Sequence, residues 1–308
     1  MSEPLYILGA GSLGLLWAAR CAQAGVACRV ILRTEAARNA WQARHNRLTL
    51  ERNGELSHLS VEAELAQDSS QPIAILIVAT KAWAVADALK SIAHRLTADS
   101  QLVLLQNGLG SQQAASECFP QQRVLYASVT DGAWLREPNH VVWAGQGQTL
   151  LGDPNQAAQP RWLDILNQTS IDWQWCNDIM PVLWLKLAIN CAINPITALH
   201  DCPNGQVPEY AGDTFLLLLD ELHALLRSQN IELSREDLQE RIVQVIQATA
   251  SNSSSMRQDL HARRRTEIDF ILGYACRNAH QAGIHTPVLD SLYQQLQQLL
   301  ARQGLPQN

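Results

Sequence analysis

The chain has 308 residues, which is enough for one large domain or two ordinary domains with a sizeable core. Its formal net charge of −6 leaves no broad basic surface, so we expect no nucleic-acid partner. No run of eighteen consecutive apolar residues occurs, so we expect no membrane span.

The cysteines and histidines of the chain are scattered. The seven cysteines are odd in number and contain no Cys-x-x-Cys pair, which predicts reduced thiols and a cytoplasmic protein. The nine histidines show no His-Glu-x-x-His spacing, so we expect no metal site.

The first forty residues show the pattern of a dinucleotide-binding turn. Residues 5–8 and 26–32 predict strands, and residues 15–24 predict the helix between them. Between the first strand and the helix the chain has a Gly-x-Gly-x-x-Gly pattern at residues 9–14, and this setting favours a dinucleotide-binding turn over a plain glycine-rich turn. Its glycines permit a tight turn, a close approach of the backbone to a pyrophosphate and close helix–strand packing. The candidate cofactor-binding residues are Gly9, Ala10, Gly11, Ser12, Leu13 and Gly14.

The residue at the end of the second predicted strand indicates which dinucleotide binds. A carboxylate there would accept a hydrogen bond from the ribose 2′-hydroxyl of NAD, whereas this chain has Arg33. An arginine suits the 2′-phosphate of NADP, although Glu35 follows two residues later as a rival. We therefore predict NADPH/NADP+ as the cofactor, with a solvated surface charge as the alternative role of Arg33.

Two further predicted strands end in polar side chains. Residues 73–79 form a continuous apolar run followed by Lys81, and residues 102–105 form another followed by Asn107. Ligands of doubly wound sheets bind at the carboxyl ends of the strands, so both side chains are candidates for binding. The alternatives are a surface lysine at a helix start and a common Asn-Gly turn.

The later part of the chain changes from strands to helices. Residues 124–130 predict a strand, residues 141–143 and 149–151 predict a hairpin, and residues 172–175 predict a last strand. From residue 180 onward only helical periodicity is evident. We therefore predict an α/β fold, with a Rossmann-type NADP-binding domain at 1–177 and an all-helical substrate domain at 178–308.

Residues 184–195 form an apolar helical pattern with polar residues at every fourth position. Lys186, Asn190 and Asn194 lie on one face of such a helix, and Pro195 is expected to bend or end it. This polar stripe is either the wet face of an amphipathic helix, a satisfied polar cluster at a domain contact, or a functional site. The serines at 253–255 are most simply the N-cap of the next helix, with carboxylate binding as the alternative.

Taken together, the motifs resemble those of the ketopantoate reductase family, in the same order and spacing. The matching segments are Gly9 to Gly14, Thr80-Lys81-Ala82-Trp83, Gln106 to Gly110, Lys186 to Pro195, Cys202-Pro203-Asn204-Gly205, Ser253 to Met256 and Thr266 to Asp269.

The resemblance implies NADPH-dependent reduction of 2-dehydropantoate to (R)-pantoate in pantothenate synthesis. It implies that Lys186 is the general acid and that Arg33 contacts the 2′-phosphate. The implied substrate-binding residues are Asn107, Lys186, Asn190, Asn194, Asn204 and Ser255, and the further cofactor contacts are Lys81, Asn107, Ala133 and Glu267.

The chemistry of a 2-keto acid agrees with this set, because a protonated lysine can neutralise and protonate the carbonyl oxygen. The partner is then a small 2-keto acid, and monomer and homodimer both remain open. Alternative functions are an NADP-dependent reductase of another 2-keto acid or imine, and a non-enzymatic NADP-binding sensor.

Overall fold

The computed structural model describes residues 3–308, which divide into two compact units. The first unit contains residues 3–106 and 111–180, and the second contains residues 107–110 and 181–308. The strands are β1 (Leu5–Leu8), β2 (Cys28–Leu32), β3 (Arg47–Arg52), β4 (Glu55–Ser60), β5 (Glu62–Leu65), β6 (Ile75–Val78), β7 (Gln101–Leu104), β8 (Arg123–Val129), β9 (Gly132–Glu137), β10 (His140–Gly145), β11 (Thr149–Gly152) and β12 (Trp173–Trp175).

The main sheet of the first unit has eight strands in the order β12-β11-β8-β7-β6-β1-β2-β5. The six strands from β8 to β5 are parallel, while β11 pairs antiparallel with β8 and β12 pairs parallel with β11. The central strands are continuous apolar runs because helices cover both faces of a parallel sheet. The first-unit helices are α1 (Ser12–Gln23), α2 (Glu35–Ala43), α3 (Val85–Ile92) and α4 (Ser111–Cys118).

The strand order reverses between β1 and β6. The chain continues from β1 through α1 to β2 on one side, and from β6 through α3 to β7 on the other. This arrangement leaves a crevice at the carboxyl ends of β1 and β6, which is where doubly wound sheets bind ligands. The residues that border it are the glycine turn after β1 and residues 79–81 after β6.

The predicted hairpin of residues 141–143 and 149–151 is wrong. These residues lie on β10 and β11, which belong to different sheets. The hairpin partner of β10 is β9, and the turn between them contains Asn139 at φ +65°. Gly147, between the two segments, marks a close backbone approach, because a Cβ there would lie 2.2 Å from the carbonyl carbon of Thr130. Strands β9 and β10 belong to a second, four-stranded sheet, whose order is β4-β3-β10-β9.

A buried ion pair joins α1 to the loop before β9. Arg20 Nη1 lies 3.0 Å from Asp131 Oδ2, and both side chains are fully buried. Asp131 Oδ1 also accepts hydrogen bonds from Trp143 Nε1 at 3.2 Å and from the Gly147 amide at 3.0 Å. A buried charge needs such partners, so the pair holds the two sheets of this unit in a single arrangement around α1.

The second unit is helical, and residues 181–308 contain no strand. Its helices are α5 (Ile179–Leu199), α6 (Val207–Ala211), α7 (Thr214–Ser228), α8 (Arg235–Ala248), α9 (Ser255–His261), α10 (Tyr274–Gln281) and α11 (Pro287–Arg302). A five-residue π-helical turn, Asp269–Gly273, leads directly into α10. The predicted fold class, a Rossmann-type α/β domain followed by a helical domain, is confirmed.

Helix α5 continues through Pro195 and ends at Leu199, so of the two expected effects of Pro195, bending or ending the helix, the ending is wrong. Proline removes one helical hydrogen bond, but Ile193, Ile196 and Ala198 are all buried, and their packing outweighs that loss. The helix has the length and mean hydropathy, 1.5, of a membrane span. However, 67% of that window is buried inside the protein, as in the core helix of a globular protein.

Candidate active site

The glycine turn of the first unit packs closely against the end of β6. Gly9 follows β1 at φ +110°, and a Cβ there would lie 2.9 Å from Thr80 Cγ2. A Cβ on Gly14 would lie 2.1 Å from the Gly9 carbonyl oxygen and 3.1 Å from Ala79 Cβ. These two positions therefore need glycine to close the turn and to pack α1 against the sheet.

Gly11 differs because no protein atom crowds it. The nearest atom to an added Cβ would be the Ala79 carbonyl oxygen at 3.6 Å, an ordinary contact distance. Gly11 is also the N-cap of α1 and offers no side-chain cap, so the first-turn amides are available to an anion. Ala10, Ser12 and Leu13 are partly exposed beside it. This open, uncapped turn fits the pyrophosphate of a dinucleotide.

The end of β2 favours a phosphate over a ribose hydroxyl. Arg33 is exposed and forms no ion pair with any residue in the described range 3–308. The rival carboxylate, Glu35, is paired with Arg38, whose Nη1 also lies 2.9 Å from Asp68 Oδ1. Arg33 is therefore the charge that remains available to a 2′-phosphate, and Glu35 is already engaged.

Two further candidate cofactor residues lie near these elements. Lys81 is partly buried and stands before the short 3₁₀ turn Ala82–Ala84 that follows β6. Ala133 pairs with Trp143 in the second sheet, on a strand that packs against α1. The sequence-predicted cofactor residues of this unit are thus distributed around α1 and the ends of β1, β2 and β6.

The polar stripe of the second unit is only partly exposed to water. Lys186 and Asn190 are partly buried, and Asn194 is only 6% exposed. The neighbouring apolar residues Leu187 and Cys191 are almost fully buried. The interpretation of α5 as an ordinary amphipathic surface helix is therefore wrong, and the stripe is enclosed by protein over much of its surface.

Burial changes the acid–base properties of Lys186. Loss of hydration lowers its pKa from 10.5 to about 8, and the negative charge of Glu267 opposes part of this shift. Glu267 is itself only 5% exposed. A lysine with a pKa near 8 is mostly protonated at neutral pH and gives up its proton more readily than a surface lysine. Lys186 can therefore both bind and protonate a developing oxyanion.

The serine run contains the helix cap that the sequence predicts. Ser254, at 6% exposed, caps α9 by accepting a hydrogen bond from the Arg257 amide at 3.1 Å. Its hydroxyl also lies 2.7 Å from Thr197 Oγ1, and Thr197 donates to the Asn194 carbonyl oxygen at 2.9 Å. Ser255 is exposed and is the first residue of α9, so its hydroxyl is not used as the cap.

Two buried polar atoms near this cap have no partner among the described residues. Asn204 donates through Nδ2 to Thr249 Oγ1 at 2.9 Å, but its buried Oδ1 accepts no hydrogen bond. The hydroxyl oxygen of Ser253 is likewise buried without a partner. Because such atoms are costly unless satisfied, a polar ligand or water is expected at both. The serine run indicated this segment, but burial was needed to single out Ser253.

Asn107 belongs to the second unit together with the three residues that follow it. The Leu109 amide donates to the Phe270 carbonyl oxygen at 2.8 Å, three residues after Glu267. The structure therefore groups Asn107 with Lys186, Asn190, Asn194, Asn204, Ser255 and Glu267 in one unit, and Arg33, Lys81, Ala133 and the glycine turn in the other.

Comparisons with known proteins match both parts of the chain. Residues 5–156 match the family model "Ketopantoate reductase PanE/ApbA", and residues 178–300 match the model of its C-terminal part. A 2-dehydropantoate 2-reductase of Vibrio cholerae is 38% identical over 300 residues, covering 96% of this chain and 97% of that protein. One of Shigella flexneri is 34% identical over 290 residues, covering 94% and 92%.

Solved structures share the fold. A PanE/ApbA family ketopantoate reductase from Ralstonia eutropha JMP134 superposes with a TM-score of 0.87 at 23% identity, covering 98% of this chain and all of that one. A D-mandelate dehydrogenase with NADH and anilino(oxo)acetate gives 0.89 at 21% identity with the same coverage. At these identities the likeness shows the fold alone. The two family models and the full-length sequence relatives show that this chain belongs to the ketopantoate reductase family.

Proposed function

We propose that this protein is an NADPH-dependent reductase that converts 2-dehydropantoate to (R)-pantoate in pantothenate synthesis. The observation that carries the proposal is Lys186, an enclosed lysine with a pKa of about 8 on the same helical face as Asn190 and Asn194. A keto acid presents a carbonyl oxygen and a carboxylate, and this set offers one cation for the carbonyl oxygen and neutral donors for the rest.

The first unit supports NADPH binding. The turn Gly9–Gly14 and the N-terminus of α1 receive the pyrophosphate, and Arg33 pairs with the 2′-phosphate. In the first unit, Lys81 and Ala133 are the further proposed contacts to the cofactor, and in the second unit Asn107 and Glu267 are the proposed contacts. When bound, NADPH supplies the hydride, and the protein supplies position and electrostatic field. We accordingly propose 1–177 as the NADP-binding domain and 178–308 as the substrate domain.

Lys186 supplies the proton. As the carbonyl oxygen gains negative charge, the ammonium group of Lys186 stabilises it and then donates a proton to form the product hydroxyl. Glu267 favours the protonated form of the lysine because its charge opposes the effect of burial on the pKa. Asn107, Asn190, Asn194, Asn204 and Ser255 orient the remaining oxygens of the substrate without adding charge.

The test is NADPH oxidation at 340 nm with 2-dehydropantoate for the wild type, Lys186→Ala and Lys90→Ala. Lys90 is an exposed lysine of α3 and serves as the matched control. We expect kcat to fall by about 10²–10⁴ in Lys186→Ala and to stay unchanged in Lys90→Ala. Equal turnover in Lys186→Ala and wild type would refute Lys186 as the proton donor.

The same assay separates the alternative functions. A panel of 2-keto acids and imines identifies the preferred substrate by its kcat/KM, and a better substrate than 2-dehydropantoate would replace it in the proposal. Tight NADPH binding without turnover of any compound would instead support a sensor. We also propose a cytoplasmic location, because the seven cysteines are all free, several are buried, and none is paired.

A further inference from the structure

The segment Asn107–Gly110 is held by the second unit although the residues on both sides of it belong to the first. Gln106 remains with the sheet, where its Nε2 donates to the carbonyl oxygens of Val78 at 2.8 Å and Thr80 at 3.0 Å. One residue later the chain is bound to the helical unit. The grouping of these four residues with the helical unit reflects the contacts that they make there.

The attachment is a close backbone contact between residues 108–109 and Phe270. The Leu109 amide donates to the Phe270 carbonyl oxygen at 2.8 Å, and the Leu109 side chain is only 2% exposed. Gly108 adopts φ +79°, and a Cβ there would lie 2.2 Å from the same carbonyl oxygen. We call Gly108, Leu109 and Phe270 the clasp. It needs glycine at 108 for both its conformation and its space.

The π-helical turn explains why the Phe270 carbonyl is available to the clasp. In an α-helix this oxygen would accept from the amide of Tyr274, four residues later. Here the Tyr274 amide donates to the Ile271 carbonyl oxygen instead. Phe270 therefore offers its carbonyl oxygen to a partner outside the helix, and the Leu109 amide is that partner. Single π-helical turns occur frequently at functional sites.

Side-chain hydrogen bonds hold the first residue of the π-turn in place. Asp269 Oδ1 accepts from Arg277 Nη1 at 2.7 Å and from the Tyr293 hydroxyl at 2.9 Å. Arg277 Nη2 also donates to the Asp269 carbonyl oxygen at 3.0 Å. A Cβ on Gly273 would lie 2.5 Å from Asp269 Oδ1, so glycine there makes room for the cluster. The first residue of the turn is thus fixed to both α10 and α11.

We propose that the clasp is a positioning device that holds Asn107 in register with Glu267 and Lys186 in the helical unit. Asn107 directly precedes Gly108, and the carbonyl of Glu267 accepts from the amides of Phe270 and Ile271, both at 3.1 Å. The inference rests on the proposed function of Asn107 and Lys186. Gly108 is a positioning residue that acts through Asn107, and it does not itself act on the substrate.

The test compares Asn107→Ala, Gly108→Ala and the double variant, with Gly54→Ala as the control. Gly54 has a similar φ of +82°, but an added Cβ meets no atom within 4 Å, so it carries the strain without the collision. We expect kcat/KM to fall about a hundredfold in Gly108→Ala, because a misplacement of about 1 Å can cost that much. The double variant should be no worse than Asn107→Ala, and Gly54→Ala should match the wild type.

Additive losses in the double variant would overturn the proposal, because Gly108 would then act independently of Asn107. Wild-type kcat/KM in Gly108→Ala would overturn it as well. Because Gly108→Ala risks misfolding, Tyr293→Phe provides a milder change that removes one brace of Asp269. We expect it to lower kcat/KM in the same direction by a smaller factor, and an unchanged value would contradict the role of the brace.

Hydrogen exchange gives a readout that does not depend on turnover. In the ligand-free wild type the Leu109 amide should be protected by its bond to Phe270, and Gly108→Ala should remove that protection while Gly54→Ala should not. If the wild type turned over none of the 2-keto acids, the proposed function would be refuted. Hydrogen exchange at the Leu109 amide would still test the clasp. An unprotected Leu109 amide in the wild type would refute the clasp itself.

Discussion

Gly11 is the position where cofactor binding and protein folding are most cleanly separated. Its backbone, at φ −77° and ψ 179°, is one that alanine adopts readily, and an added Cβ would approach nothing closer than 3.6 Å. At Gly14, in contrast, the Cβ would lie 2.1 Å from a backbone oxygen. We therefore expect Gly11→Ala to fold as well as the wild type and to bind NADPH poorly, because the methyl group occupies the space of the pyrophosphate.

The size of the effect follows from the hydrogen bonds that are displaced. Replacing glycine by alanine at a compatible position stabilises a protein by about 0.4–1 kcal/mol. Weakening charge-assisted hydrogen bonds to the pyrophosphate costs about 1.5–3 kcal/mol, which raises the Kd about 10- to 150-fold. At a free NADPH concentration of about 100 times the wild-type Kd, ligand stabilisation is about 2.7 kcal/mol, and a hundredfold weaker Kd reduces it to about 0.4 kcal/mol.

The assay is thermal unfolding with and without NADPH, together with titration calorimetry for the Kd. Without NADPH, Gly11→Ala should unfold at the wild-type temperature or slightly above it, and it should lose most of the increase that NADPH produces. Gly14→Ala should instead lower the unfolding temperature of the ligand-free protein, because overlap of the new Cβ with the backbone costs about 1–3 kcal/mol. Wild-type affinity for NADPH in Gly11→Ala would refute the placement of the pyrophosphate at the N-terminus of α1.

Three further predictions concern charged groups. Because burial lowers the pKa of Lys186 to about 8 and the protonated form is the acid, kcat/KM should fall as pH rises through about 8; a profile flat to high pH would contradict this. Arg33→Ala should raise the KM for NADPH about 10- to 100-fold and leave the KM for NADH nearly unchanged. Equal increases in the two KM values would argue against a 2′-phosphate contact. Arg20→Leu should lower the free energy of unfolding by about 3–5 kcal/mol in urea titrations, because it leaves buried Asp131 without its cation. Arg29→Leu, whose side chain is 45% exposed, should cost at most about 1 kcal/mol, and equal losses would refute the role of burial.

Local sequence was sufficient wherever neighbouring residues decide the outcome. The turn from Gly9 to Gly14 follows from steric rules that act over a few residues, and the structure has the strand, turn and helix in that order. The helical face shared by Lys186, Asn190 and Asn194 follows from the period of the helix. Here the periodicity is correct even though Pro195 does not end the helix, since buried packing overrides the local preference.

Local sequence was insufficient wherever distant segments compete for the same partner. The apolar strands β10 and β11 have similar patterns, and only pairing with β9 and β8 places them in different sheets. The serine run indicates a cap, but burial against Thr197 makes Ser254 the cap and leaves Ser255 exposed. Both outcomes depend on residues far away in the chain.

The sequence by itself therefore determined the residue types on which the proposed chemistry rests: a glycine turn after a strand, an arginine at the end of the next strand, and a lysine among asparagines. The tertiary structure alone decided their properties. The pKa of Lys186 depends on burial and on the charge of Glu267, and the place of Asn107 depends on the carbonyl that the π-turn frees at Phe270. Spacing along a chain specifies which groups share a face, whereas hydration, charge and backbone hydrogen bonding are set by contacts between segments that only folding brings together.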